Sequence, residues 1–300
     1  MTLFVPEDGS HWYTREGEPA HNARPGDAVA RGLLPSVTSI LRVVDKPALV
    51  NWRLNQVVLS ALTLPRKPGE MADDFAKRVV KDSREEGANA AAAGGRLHEV
   101  MECVVRDHDL PPALADLEPH YTALRAWWKE QNWMTSGCEE SFASVVEGYG
   151  GRVDWYGFAW MGAGRVRAVV DWKTKITKPG QPILHYREYG AQLAAYARGL
   201  KPEDDDVVMC SAVISRNEPG RVDVYSWGNF VIGPAKDLWR AFLSARDLYY
   251  SALGPGSELK WNPAAEQKRA LEQRKADMAD LFDRIETGEP HEGVRPSRRG

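Results

Sequence analysis

Lys173 stands two residues beyond Asp171, at the end of the strand-like run Arg167-Ala168-Val169-Val170. Side chains alternate along a strand, so the carboxylate and the ammonium share one face with Val169, while Val170 and Trp172 take the opposite, buried face. An acid beside an amine at a strand end suits phosphodiester hydrolysis. The acid holds a divalent cation; the amine orients or activates water and screens charge on the phosphate. Any chain of 300 residues holds several such triplets, so the weight of this one comes from its companions.

Upstream, Gly150-Gly151-Arg152-Val153-Asp154-Trp155 reads as a glycine-rich turn opening a second strand, with Met161-Gly162-Ala163-Gly164 as the turn that returns the chain toward Asp171. Adjacent antiparallel strands then bring Asp154 and Asp171 together, which like-charge repulsion disfavours unless a cation lies between them. Read alone, an Asp after Gly-Gly is a common turn residue. A helix over roughly 83–107 carries Gly94-Gly95-Arg96-Leu97-His98-Glu99, and His98 is its one histidine. The run from His98 to Glu102 is not a zinc-protease helix, because Glu102 stands where the second histidine is needed. Residues 186–196 read as a further helix, with Gln192 and Tyr196 four apart on one face and Leu193 and Ala197 on a neighbouring one. By themselves, Gln192 is a solvated helix residue and Tyr196 half-buried core.

In order along the chain, Gly-x-x-x-His, Gly-x-x-Asp, Asp-x-Lys-Thr and Gln-x-x-x-Tyr resemble the RecB-like branch of the PD-(D/E)xK nuclease superfamily, over Gly94 to Leu200. That branch includes the RecB nuclease domain, the mitochondrial genome maintenance exonuclease and the CRISPR-associated iron–sulfur nucleases. Leu34–Leu41 and Asp45–Trp52 resemble the start of its phage- and prophage-encoded members. Spacing makes these two short helices, with Val37, Ile40, Leu41 and Val44 on one face and Asp45 capping the second, Pro47 in its first turn.

The resemblance implies an α/β (α+β) fold: a restriction-endonuclease-like αβββαβ core, its mixed central sheet flanked by helices, with an N-terminal helical lobe. It implies Mg²⁺ or Mn²⁺ held by Asp154, Asp171, His98 and the Trp172 carbonyl, with Lys173 stabilising attacking water and developing charge. Imidazole suits Mn²⁺ better than Mg²⁺. Gln192 and Tyr196 would hold Lys173 and the DNA strand, and Arg152 and Lys175 would contact DNA. Glu140 occupies the strand where related nucleases often carry an acid, and reads equally as an edge-strand charge beside Glu139. Glu102, one turn beyond His98, would reach the cation through water. The iron–sulfur relatives need four cysteines, three of them late in the chain; with Cys103, Cys138 and Cys210 alone, no cluster is expected.

The pattern of elements agrees. Strands are expected near 139–147, 152–160, 165–173, 206–215 and 221–227, with helices near 121–131 and 234–253 and an amphipathic one over 263–286 through Leu271, Met278, Leu281 and Ile285. Residues 1–82 read as an N-terminal hairpin and helical region, 83–255 as the core, 256–287 as a C-terminal helix and 288–300 as a disordered tail. Trp127, Trp128 and Trp133 can stack on bases but read first as core around the 121–131 helix.

A hydrophobic content of 43% fits a globular enzyme, and the net charge of −3 means that any attraction to DNA is local. Arg165, Arg167, Lys173, Lys175, Lys178 and Arg187 surround the one acid Asp171 between Gly164 and Arg187, while Glu203–Asp206 reads as a solvated acidic loop. No run reaches membrane-spanning length and no signal pattern is present, and three scattered cysteines suit a reducing compartment, so a bacterial or phage-encoded cytoplasmic protein is expected. The functional expectation is a metal-dependent exonuclease on single- or double-stranded DNA ends in phage-type recombination, replication or repair, working with a recombinase or single-strand-binding protein. A structure- or site-specific endonuclease and an inactive DNA-binding module remain as alternatives.

Overall fold

A computed structural model describes residues 11–20, 23, 25–44, 46–161, 164–200, 203–251 and 263–287. Expectations for Asp45, Gly162, Ala163, 256–262 and 288–300 lie outside these residues. The elements run β1 (Trp12–Tyr13), α1 (Pro25–Arg31), β2 (Leu34–Pro35), α2 (Val37–Ile40), α3 (Pro47–Thr63), α4 (Ala72–Val105), α5 (Glu118–Gln131), β3 (Met134–Ser144), β4 (Tyr149–Met161), β5 (Gly164–Lys175), α6 (Arg187–Leu200), β6 (Val208–Ser215), β7 (Val222–Ser226), α7 (Ala235–Ser251) and α8 (Pro263–Thr287).

The fold is mixed α and β. Its main sheet has the order β3-β4-β5-β6-β7, antiparallel except for the parallel pair β5 and β6. Helix α6 makes the crossover between those two parallel strands. One face of the sheet packs on Val100, Met101 and Val104 of α4 and Tyr121 and Leu124 of α5, against Trp155, Val170 and Trp172. The other packs Val153 and Val169 on α6 and on Leu238 and Phe242 of α7, with Trp12, Val37 and Ile40 of the N-terminal region. Cover on both sides explains why β6 reads as a near-continuous apolar run and why β5 is apolar over Ala168–Val170. Trp127, Trp128 and Trp133 join Trp155 and Trp172 edge to face or tilted, with ring centroids 5.2–6.3 Å apart, so these indoles are core rather than a base-stacking platform.

Several expectations change. Gly150 and Gly151 lie inside β4, and the turn before them is Val145–Gly148. A Cβ at Gly151 would meet the Phe142 ring at 2.8 Å and the Tyr196 ring at 3.0 Å, so this glycine admits close packing rather than a turn. The second N-terminal helix is a 17-residue α3, with Lys46 at its N-cap and Pro47 at its first position. Helix α4 is 34 residues long and runs unbroken through the boundary expected at 82/83. In α8, Leu271 and Met278 are exposed, not part of a buried apolar face, while the side chains of Leu281 and Ile285 lie outside those described. The basic segment does not gather at one place either. Arg165 lies eight residues, roughly 26 Å, from Lys173 along β5, and Arg167 is paired with Asp204 of the acidic loop.

Gly94 sets the approach of α4 to the sheet, because a Cβ there would lie 2.7 Å from Thr174 Oγ1. Gly94→Val is expected to cost about 1–3 kcal/mol by overpacking, and Thr174→Ala in the same chain should return part of it. Thermal melts of the two variants check this.

Candidate active site at the opening between β4 and β5

Beta pairing between β4 and β5 ends at Trp155↔Val170, one step short of Asp154 and Asp171. Pairing between β3 and β4 skips the same level: Cys138↔Trp155 and Glu140↔Val153 are in register, with Glu139 and Asp154 unpaired between them. Glu139 has φ 56°, the left-handed region that a non-glycine residue adopts at a cost of about 1–3 kcal/mol. At this level β4 changes the face it addresses, since Val153 packs with the α6 cluster and Trp155 with the α4 cluster. The result is a gap in the sheet lined by acids.

Asp154 partly closes the gap. Its Oδ2 accepts the Trp172 backbone N–H at 2.7 Å, a donor that has no strand partner there. A strand residue directs its N–H and C=O toward the same edge, so the Trp172 carbonyl also opens toward β4. Helix α4 brings His98 Nδ1 to 3.7 Å from Asp154 Oδ2. His98, Glu139 and Asp154 each offer a ligand atom, all within 4.8 Å of one another.

Asp171, 2% exposed, is held on the α6 side of this group. Lys173 Nζ lies 2.6 Å from its Oδ2 as an ion pair without hydrogen-bond alignment, and Gln192 Nε2 donates to its Oδ1 at 2.9 Å. Gln192 also accepts from Lys173 Nζ at 3.1 Å and donates to Tyr196 OH at 2.8 Å. One amide thus fixes acid, amine and phenol together. Both Gln192 and Tyr196 are buried, not solvated or half-buried, because α6 is covered all round from Gly190 to Ala197.

Electrostatics favour a cation among these groups. Burial pushes the His98 imidazole down to about 4, so near neutrality its ring nitrogen is an unprotonated donor. Burial, then the charge of Asp171, raises the Asp154 carboxyl well above its usual range. Burial also raises Glu139, against the opposing charge of Arg152. Tyr196 is raised well above the usual phenol by burial and by both aspartates, and so stays protonated. Buried acids crowded beside a neutral imidazole are a set that a divalent ion would satisfy.

The remaining expected residues are more scattered. Arg152 Nε pairs with Glu139 Oε2 at 2.8 Å, beside the gap. Lys175 donates to the Leu184 carbonyl and lies 4.0 Å from the centre of the Tyr186 ring. Glu140 accepts from Tyr156 OH at 2.7 Å, outside the acid group, and Glu139 takes the place expected for it. Glu102 is held by Arg106 Nε at 2.9 Å, and the same guanidinium donates to the Cys138 carbonyl.

Two features had no expectation attached to them. Lys46, at the start of α3, lies near enough to Lys173 and Glu188 to feel both charges, and its burial lowers its pKa. His185, in the segment between β5 and α6, bonds Ser211 Oγ at 2.7 Å through Nδ1 and Asp223 Oδ2 at 2.9 Å through Nε2, and Trp227 Nε1 donates to the same Ser211 oxygen at 3.0 Å. A neutral ring carrying its proton on Nε2 satisfies every one of these bonds. Ser211 is the register partner of Asp171 on β6 and is fully buried. The constellation therefore anchors the segment carrying Leu184 and Tyr186 instead of exposing a nucleophile.

No protein-family model matches the chain, and no curated protein is similar to it. Among solved structures, one titled "Crystal structure of SSO0001" is similar over 68% of this chain and 88% of that chain, at 14% identity and a TM-score of 0.29, a likeness that carries no argument about fold or activity. Among the described residues no helix is long and apolar enough to cross a membrane, and Cys103, Cys138 and Cys210 are free thiols.

Proposed function

We propose that this chain is a metal-dependent deoxyribonuclease of the RecB-like PD-(D/E)xK type, an exonuclease hydrolysing phosphodiester bonds at DNA ends in the cytoplasm. One observation carries the reading: the Asp171–Lys173–Gln192 cluster stands beside His98, Glu139 and Asp154 at an opening in the sheet. The element order α4-α5-β3-β4-β5-α6-β6, an αβββαβ series with α5 inserted after its first helix, supports the restriction-endonuclease-like core.

The residues fit a divalent cation. Three donor atoms lie within 4.8 Å of one another, one an imidazole nitrogen and two from carboxylates with raised pKa. This mixed nitrogen–oxygen set suits Mn²⁺ at least as well as Mg²⁺. His98, Glu139 and Asp154 would hold the ion, with Asp171 and the Trp172 carbonyl at the margin of the same opening. When bound, it supplies Lewis acidity at the scissile phosphate and acidifies water. The chain's own groups do the rest. Lys173 orients water and offsets the charge that develops on the phosphate; Gln192 fixes the Lys173 amine and the Asp171 carboxylate in one geometry; Tyr196 holds Gln192.

End-labelled linear DNA, single- and double-stranded, and covalently closed circular DNA test the proposal, each with and without Mn²⁺. Linear DNA is expected to be degraded only with metal, and the closed circle to survive. Nicking of the circle would replace the exonuclease with an endonuclease, and intact DNA under every condition would end the nuclease reading.

A further inference from the structure

Helix α3 is built inside out. It forms an antiparallel hairpin with the first half of α4, Trp52 lying beside Gly87. Its one buried residue is the polar Ser60, and Gln56 and Val57 are half-buried beside it. Large apolar side chains lie on the side away from Ser60: Leu54 is 58% exposed, Val58 55%, Leu59 53% and Leu62 77%, joined by Val50. Five such side chains leave on the order of 500 Å² of apolar surface in water, high in the range for the largest patch on a monomer and more than half of the ~800 Å² each partner gives to a standard interface.

We infer that this face of α3 is a dimer interface, covered by α3 of a second copy of the chain. Val50, Leu54, Val58 and Leu62 recur every four residues, forming the kind of ridge that interdigitates with an identical ridge, at a crossing angle of about −50°. Arg53 is the one charged residue in α3, so two copies meet without opposed like charges along the seam. The exposed side chains of α4, the other arm of the hairpin, carry both signs: Asp73 and Asp74, Lys77, Lys81 and Arg84, then Glu85 and Glu86. An apolar face without charge, on a hairpin of mixed sign, can meet its own copy under a two-fold axis. The same composition fits other occupants poorly. A polyanion calls for a basic face, and a membrane surface for lysines and arginines along the polar side.

The inference is independent of the nuclease reading. Sedimentation equilibrium of the full chain, from micromolar to sub-millimolar concentration, is expected to give twice the 33.5 kDa of one chain. Leu54→Glu with Val58→Glu, two exposed positions where Glu keeps the helix, should weaken the dimer at least about 100-fold by burying charge in the seam. Its circular dichroism and Mn²⁺ binding should match the parent. A parent monomeric at every concentration, or a dimer indifferent to the double substitution, overturns the inference. So does a monomeric parent that binds anionic vesicles or single-stranded oligonucleotide through α3 and loses that binding in the double variant.

Discussion

Lys173→Arg is expected to fold and bind Mn²⁺ like the parent yet hydrolyse linear DNA at least about 100-fold more slowly, the scale of losing one positioned group at a transition state. Arginine keeps a positive charge against Asp171, which is buried and has its other oxygen on Gln192. The ion pair therefore survives, and the large penalty for stranding a buried carboxylate is avoided. What is lost is the compact ammonium that donates from a single point; a guanidinium is planar and wider. Lys173→Ala removes charge as well as geometry. It should be slower still, about 1,000-fold or more, and should also melt earlier, because Asp171 Oδ2 has no hydrogen bond to fall back on. Single-turnover rates on end-labelled DNA, with calorimetric Mn²⁺ titration alongside, separate the two effects. Near-parental rates in Lys173→Arg would remove the amine from the chemistry and leave it as a structural counter-ion.

Local periodicity made part of this site legible. A period of two places Asp171 and Lys173 on one face, and a spacing of four places Gln192 and Tyr196 on one side of α6; both hold in the fold. Parity failed one strand away. Counting along β3 favours Glu140 as readily as Glu139, because nothing in Cys138-Glu139-Glu140 announces the left-handed residue that turns Glu139 toward Asp154. Gly150-Gly151 carries the composition of a turn, whereas its cause is aromatic crowding, from Tyr13 at Gly150 and from Phe142 and Tyr196 at Gly151, Tyr13 and Tyr196 being more than forty residues away in sequence. Burial of Gln192 was hidden for a related reason. Alanines and glycine surround it, and such small residues leave no apolar stripe to mark which faces of α6 are covered. Lys46 and His185 depend wholly on tertiary partners, and no spacing reports them. The order of sheet and helices was legible because β6 is apolar on both faces, β5 is apolar over Ala168–Val170, and turn residues punctuate the rest.

Asp154→Asn should lower Mn²⁺ affinity at least about 100-fold and at the same time stabilise the metal-free protein at pH 8. The amide oxygen can still accept the Trp172 N–H, so the local backbone is preserved. The charge that a cation needs is gone. In the parent, burial and the neighbouring Asp171 raise the Asp154 carboxyl, so the folded metal-free chain holds that proton more tightly than the unfolded chain does. The sign follows from linkage. Below the ordinary aspartate value near pH ~4 the group imposes no penalty, and as pH rises from there through the raised value, folded stability falls. Asp154→Asn has no such slope, so the two melting curves should converge at acid pH and separate toward pH 8 with the variant above. Adding Mn²⁺ reverses the order. At one hundred times its dissociation constant a ligand stabilises the state it binds by about 2.7 kcal/mol, available to the parent and denied to the variant. Binding must also expel the proton, so parental affinity should strengthen with pH, and the calorimetric heat should vary with the ionisation enthalpy of the buffer. A variant that binds Mn²⁺ as tightly as its parent, or parental binding indifferent to pH, would place the cation away from Asp154.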